Sequence, residues 1–193
     1  MNSQKGIGRG FAMSLFATTL IASAANAAMV SFSTVFTNNT LADKVFDVSN
    51  FLTLSNSLGN TGGSGSLAIV VSDIRGGGAY LKGIGTTAVF STFVQSTKVG
   101  ELANTNSFVP FAVVAGTFGQ MSYSDNFARE YFGAVANVND VLQTQLKFIL
   151  SAGDQAVVSG TFVVVSAVPA PGAFALICIA GGVGLRGRRR MNY

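Results

Sequence analysis

The sequence predicts an all-β protein, an antiparallel β-sandwich of the jelly-roll-like or Greek key type, flanked by an N-terminal signal peptide and a C-terminal transmembrane helix. Apolar and polar residues alternate with a period of two along several central segments of the 193-residue chain, as in half-buried strands. Stretches rich in glycine, asparagine and serine separate these segments and indicate turns. An apolar segment beside basic residues lies near each end, which predicts three parts, residues 1–27, 28–167 and 168–193.

Residues 1–27 have the layout of a bacterial secretory signal peptide. Lys5 and Arg9 precede an apolar stretch at 11–22 that is too short to span a bilayer comfortably. Ala25 and Ala27 then form an A-x-A site, so we expect the Sec translocon to export the chain and signal peptidase to cut after Ala27. The alternative is a retained membrane anchor, which is disfavoured because no longer apolar run follows.

Residues 28–167 carry the strand pattern, and three segments alternate most clearly. The side chains predicted to face inward are Val30, Phe32, Thr34 and Phe36, then Phe46, Val48, Leu52 and Leu54, and finally Leu142, Thr144, Leu146, Phe148 and Leu150. More uniformly apolar runs at 67–71, 88–94, 108–114 and 156–165 predict inner strands of a two-layer sandwich. We count eight or nine strands in total.

One segment departs from this pattern. Residues 124–132 begin with residues that often cap helices and place Phe127 and Tyr131 four apart, as one helical turn would. This spacing predicts either a short helix or a loop.

The distribution of charge argues against a nucleic-acid partner. Six basic residues of the whole chain lie in the terminal parts, so the central part has six basic and eight acidic residues, a net charge of 6 − 8 = −2. A weakly acidic domain without a basic cluster does not match a phosphate backbone. The chain has no histidine and no tryptophan, and its one cysteine, Cys178, lies in the C-terminal part.

These absences leave few candidates for catalysis, and we predict that the protein is not an enzyme and needs no cofactor or metal. A glycosidase would need two convergent carboxylates. The candidates are Asp73, Glu101, Asp125, Glu130, Asp140 and Asp154, a number that solubility alone explains.

Two further patterns have simple structural explanations. Asn137, Asn139 and Asp140 have the spacing of oxygen ligands in a calcium loop, but paired acids and a trailing glutamate are missing, so a turn explains them better. The sequon at 38–40 fits a hairpin turn.

For carbohydrate binding, the candidate stacking rings are Tyr80, Tyr123 and Tyr131.

The C-terminal part is more specific. The motif Val168-Pro169-Ala170-Pro171-Gly172 is followed by a predicted transmembrane segment at 173–185 and by the stop-transfer residues Arg186, Arg188, Arg189 and Arg190. The prolines should end the preceding strand. A plain single-span anchor would offer only about 20 Å of helix against a hydrocarbon core of roughly 30 Å. A longer span over 160–185 would place both prolines inside a helix, and residues 161–165 favour a strand.

This ordered triplet resembles the PEP-CTERM sorting tail read by exosortases, in a Val-Pro-Ala-Pro-Gly variant. The resemblance covers residues 168–190 only. It implies that an exosortase-type membrane protease cuts the chain near the proline motif, with Val168, Pro169, Ala170, Pro171 and Gly172 as its recognition residues. It also implies that an inner-membrane precursor becomes a protein of the outer surface or extracellular matrix.

Together with the signal peptide and the lack of catalytic candidates, this resemblance implies a non-enzymatic, exported protein, a structural or adhesive component of the envelope or biofilm matrix associated with exopolysaccharide. A carbohydrate-binding module is the alternative, and a hydrolase acting on polysaccharide is a third.

Overall fold

A computed structural model describes residues 26–104 and 111–167, which form eleven β-strands. The strands are β1 Ala27–Thr37, β2 Lys44–Thr53, β3 Gly59–Ser72, β4 Ala79–Lys82, β5 Phe90–Val94, β6 Thr97–Leu102, β7 Ala112–Ala115, β8 Gln120–Arg129, β9 Val135–Ala136, β10 Val141–Leu150 and β11 Gln155–Ser166. No helix in the described ranges is long and apolar enough to cross a membrane.

The strands form two antiparallel sheets, as predicted. Sheet A has the order β1-β11-β3-β8, with the short β9 also pairing with β3. Sheet B has the order β6-β5-β10-β4-β7, with β2 on the other side of β10. The apolar faces of the two sheets pack against each other to form the core.

The expected count of eight or nine strands was too low because strands of sheet B are interrupted. Both β5 and β4 pair with the same edge of β10, at 142–146 and 149–150 respectively. The loop between them contains Gly85 at a positive φ of 58°, a conformation that favours glycine and breaks the ladder. β7 lies beside β4 as β6 lies beside β5.

The predicted inward residues of β1, β2 and β10 are buried or partly buried, so the register expected for these strands is confirmed. The apolar runs in β3, β5 and β11 lie in strands with a neighbour on each side, as predicted. The run at 108–114 was wrongly expected to be an inner strand: its residues 112–114 belong to β7 at the end of sheet B, where Val114 is exposed.

Residues 124–129 form neither a helix nor a loop, because they belong to β8, which pairs with β3, and only residues 130–132 lie outside a strand. A spacing of four places two side chains on one face of a strand as well as of a helix, so the spacing alone did not distinguish them. The Phe127 ring packs where Gly65 and Gly100 leave room, and a Cβ at either glycine would clash with it. Tyr131 follows the strand and is exposed.

The predicted signal peptide and sorting tail lie almost entirely outside the described residues. Ala27 is the first residue of β1 and pairs with Val165, so cleavage after Ala27 would shorten β1 by one residue. β11 ends at Ser166, before the proline motif, and residues 161–165 are a strand as expected. This strand excludes a single helical span over 160–185.

Candidate functional site

Sheet B exposes aromatic rings on its outer face. The register places Phe51 of β2 and Phe93 of β5 on opposite sides of Gln143 of β10. The side chain of Phe51 is 61% exposed although it lies on a strand, and Phe93 is partly buried. A large apolar ring held in water on a rigid strand is available to pack against a ligand.

The next row across the same strands is polar. Gln145 lies between Ser49 and Ser91 in the register. The Gln143 amide nitrogen donates to the Ser49 hydroxyl at 3.2 Å, and that of Gln145 donates to Asp47 Oδ1 at 2.9 Å. These hydrogen bonds orient the two amides on the surface.

Ion pairs border the amides. Lys147 Nζ lies 3.7 Å from Asp47 Oδ2, and Lys98 pairs with Glu101 three residues along β6. Each pair is partly exposed and electrically balanced. The face therefore offers charged donors and acceptors without a net charge.

A groove of about 390 Å³ runs beside Phe93. Its lining is Thr86, Thr87, Ala88, Ser91, Phe93, Lys98, Glu101, Gln145 and Lys147. We call this groove, together with the row of Phe51, Gln143 and Phe93, the aromatic face. Rings that can pack on apolar C–H groups lie beside amides and charged groups that can bond hydroxyls, which is the chemistry of a sugar-binding surface.

The three tyrosines considered from the sequence do not form such a surface. The Tyr80 hydroxyl donates to Asp43, and Lys82 Nζ covers its ring at 4.7 Å from the centroid. Tyr123 packs edge-on against Phe111 and donates to Asp125 at 3.0 Å. The hydrogen bond to Asp43 and burial raise the pKa of Tyr80 to about 12, while burial followed by the bond to Asp125 raises the pKa of Tyr123 to about 12. Tyr131 lies after β8 and is exposed.

Asp73 organises a loop. Its carboxylate accepts four backbone N–H bonds, from Arg75 and Gly76 at Oδ1 and from Gly78 and Phe118 at Oδ2. Burial alone would raise the pKa of this carboxyl, but the four donors outweigh it and lower the pKa to about 2. Asp73 thus ties the β3–β4 loop to the β7–β8 loop.

Asp154 performs a related role nearby. Its Oδ1 accepts the Ile74 N–H at 3.3 Å, and its backbone carbonyl accepts the Asn38 N–H at 2.9 Å. The Asn38 side chain is fully buried and donates to the Leu150 and Ser151 carbonyls. Asn38 is therefore a structural residue of the turn, as the sequence indicated, and is shielded from solvent.

The remaining candidate carboxylates occupy separate places. Glu101 pairs with Lys98, Asp125 accepts the Ala103 N–H, and Glu130 is exposed after β8. Asp140 accepts the Asn137 N–H, which closes a turn with Asn139 at φ 69°. In residues 26–104 and 111–167, no three or more His, Cys, Asp or Glu side chains form a group that could hold a metal.

Sequence reasoning missed Phe51 and Phe93, although a signal for Phe51 was present. Phe51 is an even number of residues from Asp47, Ser49 and Thr53, so all four side chains lie on the outward side of β2. A phenylalanine among outward polar residues is anomalous and indicates an exposed ring. Phe93 gave no such signal, because the apolar run at 88–94 hides its outward parity.

No family model matches the sequence and no curated protein matches it. Among solved structures, the carbohydrate-binding module TmCBM61 in complex with β-1,4-galactotriose is similar at a TM-score of 0.31 and 10% identity, over 71% of this chain and 80% of that one. A structure of infectious bursal disease virus, Gx strain, follows at a TM-score of 0.25 and 12% identity, over 69% of this chain and 31% of that one. These TM-scores are too low to indicate a shared function.

Proposed function

We propose that this chain is an exported, non-enzymatic surface protein that adheres to extracellular polysaccharide through the aromatic face. The observation that carries the proposal is the row of Phe51, Gln143 and Phe93, which holds two rings and an amide in the outer surface of one sheet. Phe51 is largely exposed and Phe93 is only partly buried, and a ligand that covers both rings would explain their position on the outer face.

The charges of the face favour a neutral or weakly charged glycan. Each lysine on or beside it, Lys82, Lys98 and Lys147, has an acidic partner. Such pairs can bond hydroxyl groups but do not create the positive field that attracts a polyanion.

Export and sorting belong to the same proposal. The signal peptide at 1–27 would deliver the chain through the Sec translocon, and the PEP-CTERM-like tail would present it to an exosortase-type protease. We also infer a jelly-roll connection: when β4 with β5 and β6 with β7 are each counted as one interrupted strand, each sheet has four strands besides the short β9 of sheet A. The non-enzymatic part is supported by the candidate carboxylates of the described residues, which, apart from the exposed Glu130, serve turns, loops or ion pairs.

Affinity electrophoresis in gels containing the exopolysaccharide of the producing bacterium tests this proposal. We expect the protein to be retarded, and Phe51→Ala and Phe93→Ala each to weaken binding about tenfold, because each removes about 1–2 kcal/mol of apolar contact. Tyr131→Ala is the matched control, since its ring is 58% exposed and lies outside the aromatic face. An equal loss of binding in the control would contradict the proposal. So would a wild type that is not retarded in the gel and binds no glycan on an array.

A further inference from the structure

Among the described residues, the outer face of the four long strands of sheet A carries no charged side chain. In the register, five successive rows cross β1, β11, β3 and β8, from Met29 at one end to Thr37 at the other. The outward residues of these rows are serine, threonine, asparagine, glutamine, valine, alanine and methionine only. The outer face of sheet B, by contrast, carries Asp47, Lys82 and Lys147. We call the five rows the uncharged face.

The uncharged face is corrugated. One row consists of Val35, Val157 and Val70, followed by Ser122 on the edge strand. On one side of it, the next two rows, through Ser159 and then Thr161, contain mostly small polar residues and enclose a shallow depression of about 450 Å³. An apolar ridge therefore runs parallel to a hydroxyl-lined trough whose nearer row is about 7 Å away, at two residues per row.

A ridge beside a trough of similar length is complementary to itself. Under a two-fold axis between them, the ridge of one copy would enter the trough of the other, and the reverse contact would follow by symmetry. Some of the polar groups in the trough already have a hydrogen-bond partner within the protein, because Ser66 Oγ and Thr161 Oγ1 are bonded to each other at 2.7 Å. Covering these hydroxyls therefore costs less than covering unpaired ones.

The size of the face is sufficient for a weak dimer. Four strands about 4.8 Å apart and nine residues long at about 3.3 Å each cover roughly 570 Å². Two such faces would bury about 1,100 Å² in total, at the lower end of specific interfaces. A glycan fits this face less well than the aromatic face, because its five rows contain no aromatic residue.

We propose that the uncharged face is the contact between two copies of this chain, packed sheet A against sheet A. In such a dimer the two aromatic faces point outward on opposite sides. If the proposed function holds, the dimer is bivalent and can cross-link polysaccharide chains without any additional contact.

Sedimentation velocity of the full chain in mild detergent tests the contact without any glycan. We expect a concentration-dependent dimer for the wild type, weakened at least about tenfold by Ser159→Arg at the centre of the face, because it places an unpaired charge in the contact on both copies. Ser124→Arg on the exposed edge strand β8 should act in the same direction and carries less risk to folding. Thr53→Arg, outward on sheet B, is the control and should leave the dimer intact.

A wild type that stays monomeric, or a dimer that both face variants leave unchanged, would overturn the proposal. The second result would assign association to another part of the chain, such as the tail. Failure of glycan binding is measured separately by the Phe51 and Phe93 variants, so the two proposals can fail independently.

Discussion

The rings of Phe36 and Phe148 meet edge to face across the two sheets, with their centroids 5.0 Å apart and their planes at 88°. Phe36 belongs to β1 of sheet A and Phe148 to β10 of sheet B, and both are almost fully buried. Phe46 stacks on Phe148 at 5.4 Å from the same sheet. This contact joins the two layers near one end of the sandwich.

Replacement of Phe148 by alanine should therefore destabilise the protein strongly. We expect a loss of about 3–5 kcal/mol, since the substitution leaves a cavity among rings that strands hold apart. Urea unfolding followed by far-UV circular dichroism measures it, with Phe51→Ala, an exposed ring, expected within about 0.5 kcal/mol of wild type. A near-neutral Phe148→Ala would mean that the side chains of β10 face the opposite way.

Replacement of Asp73 by asparagine should lower the melting temperature in a pH-dependent manner. Folding lowers the pKa of this carboxyl from 3.8 to about 2, so its contribution is complete above about pH 4 and is lost as the pH falls through 2. The melting temperatures of variant and wild type should therefore differ most at neutral pH and converge below about pH 2. Asp47→Asn, which removes an exposed ion pair, should change little at any pH. A constant difference across this range would rule out the charged carboxylate as the cause.

The tail prediction concerns Pro169 and Pro171. If the tail is a sorting signal, changing both to alanine should trap a full-length precursor in the inner membrane, because proline favours the extended backbone that a protease binds and alanine does not. A thiol-reactive mass tag on Cys178 separates the forms, since it should label the precursor and miss the processed protein. A surface-exposed wild type that still takes the tag would leave only a plain anchor.

Much of the fold could be predicted from the alternation of apolar and polar residues in β1, β2 and β10. The two-residue period of a strand is enough by itself to place Phe32, Phe46 and Phe148 on the buried face. The same rule failed for β8, an edge strand whose outward residues are exposed and whose inward residues Tyr123, Asp125 and Phe127 are only half-buried. A strand with weak burial on both faces has little alternation to detect.

The functional surfaces were less predictable for a related reason. The aromatic face needs β2, β10 and β5 side by side, and strand order depends on contacts between segments far apart in the sequence. The role of Asp73 likewise depends on the Phe118 N–H, 45 residues away. The glycine run at 76–78 predicted a turn, but it did not predict which loop would meet it.

The adhesive role is tested most directly in the producing bacterium. The measurement is the partition of the full-length chain, expressed from its own locus, between the extracellular matrix and the culture medium. We expect wild type and Tyr131→Ala to remain in the matrix, and the double variant Phe51→Ala/Phe93→Ala to appear in the medium with the same processed mass. A double variant that stays in the matrix to the same extent as wild type would contradict adhesion through the aromatic face.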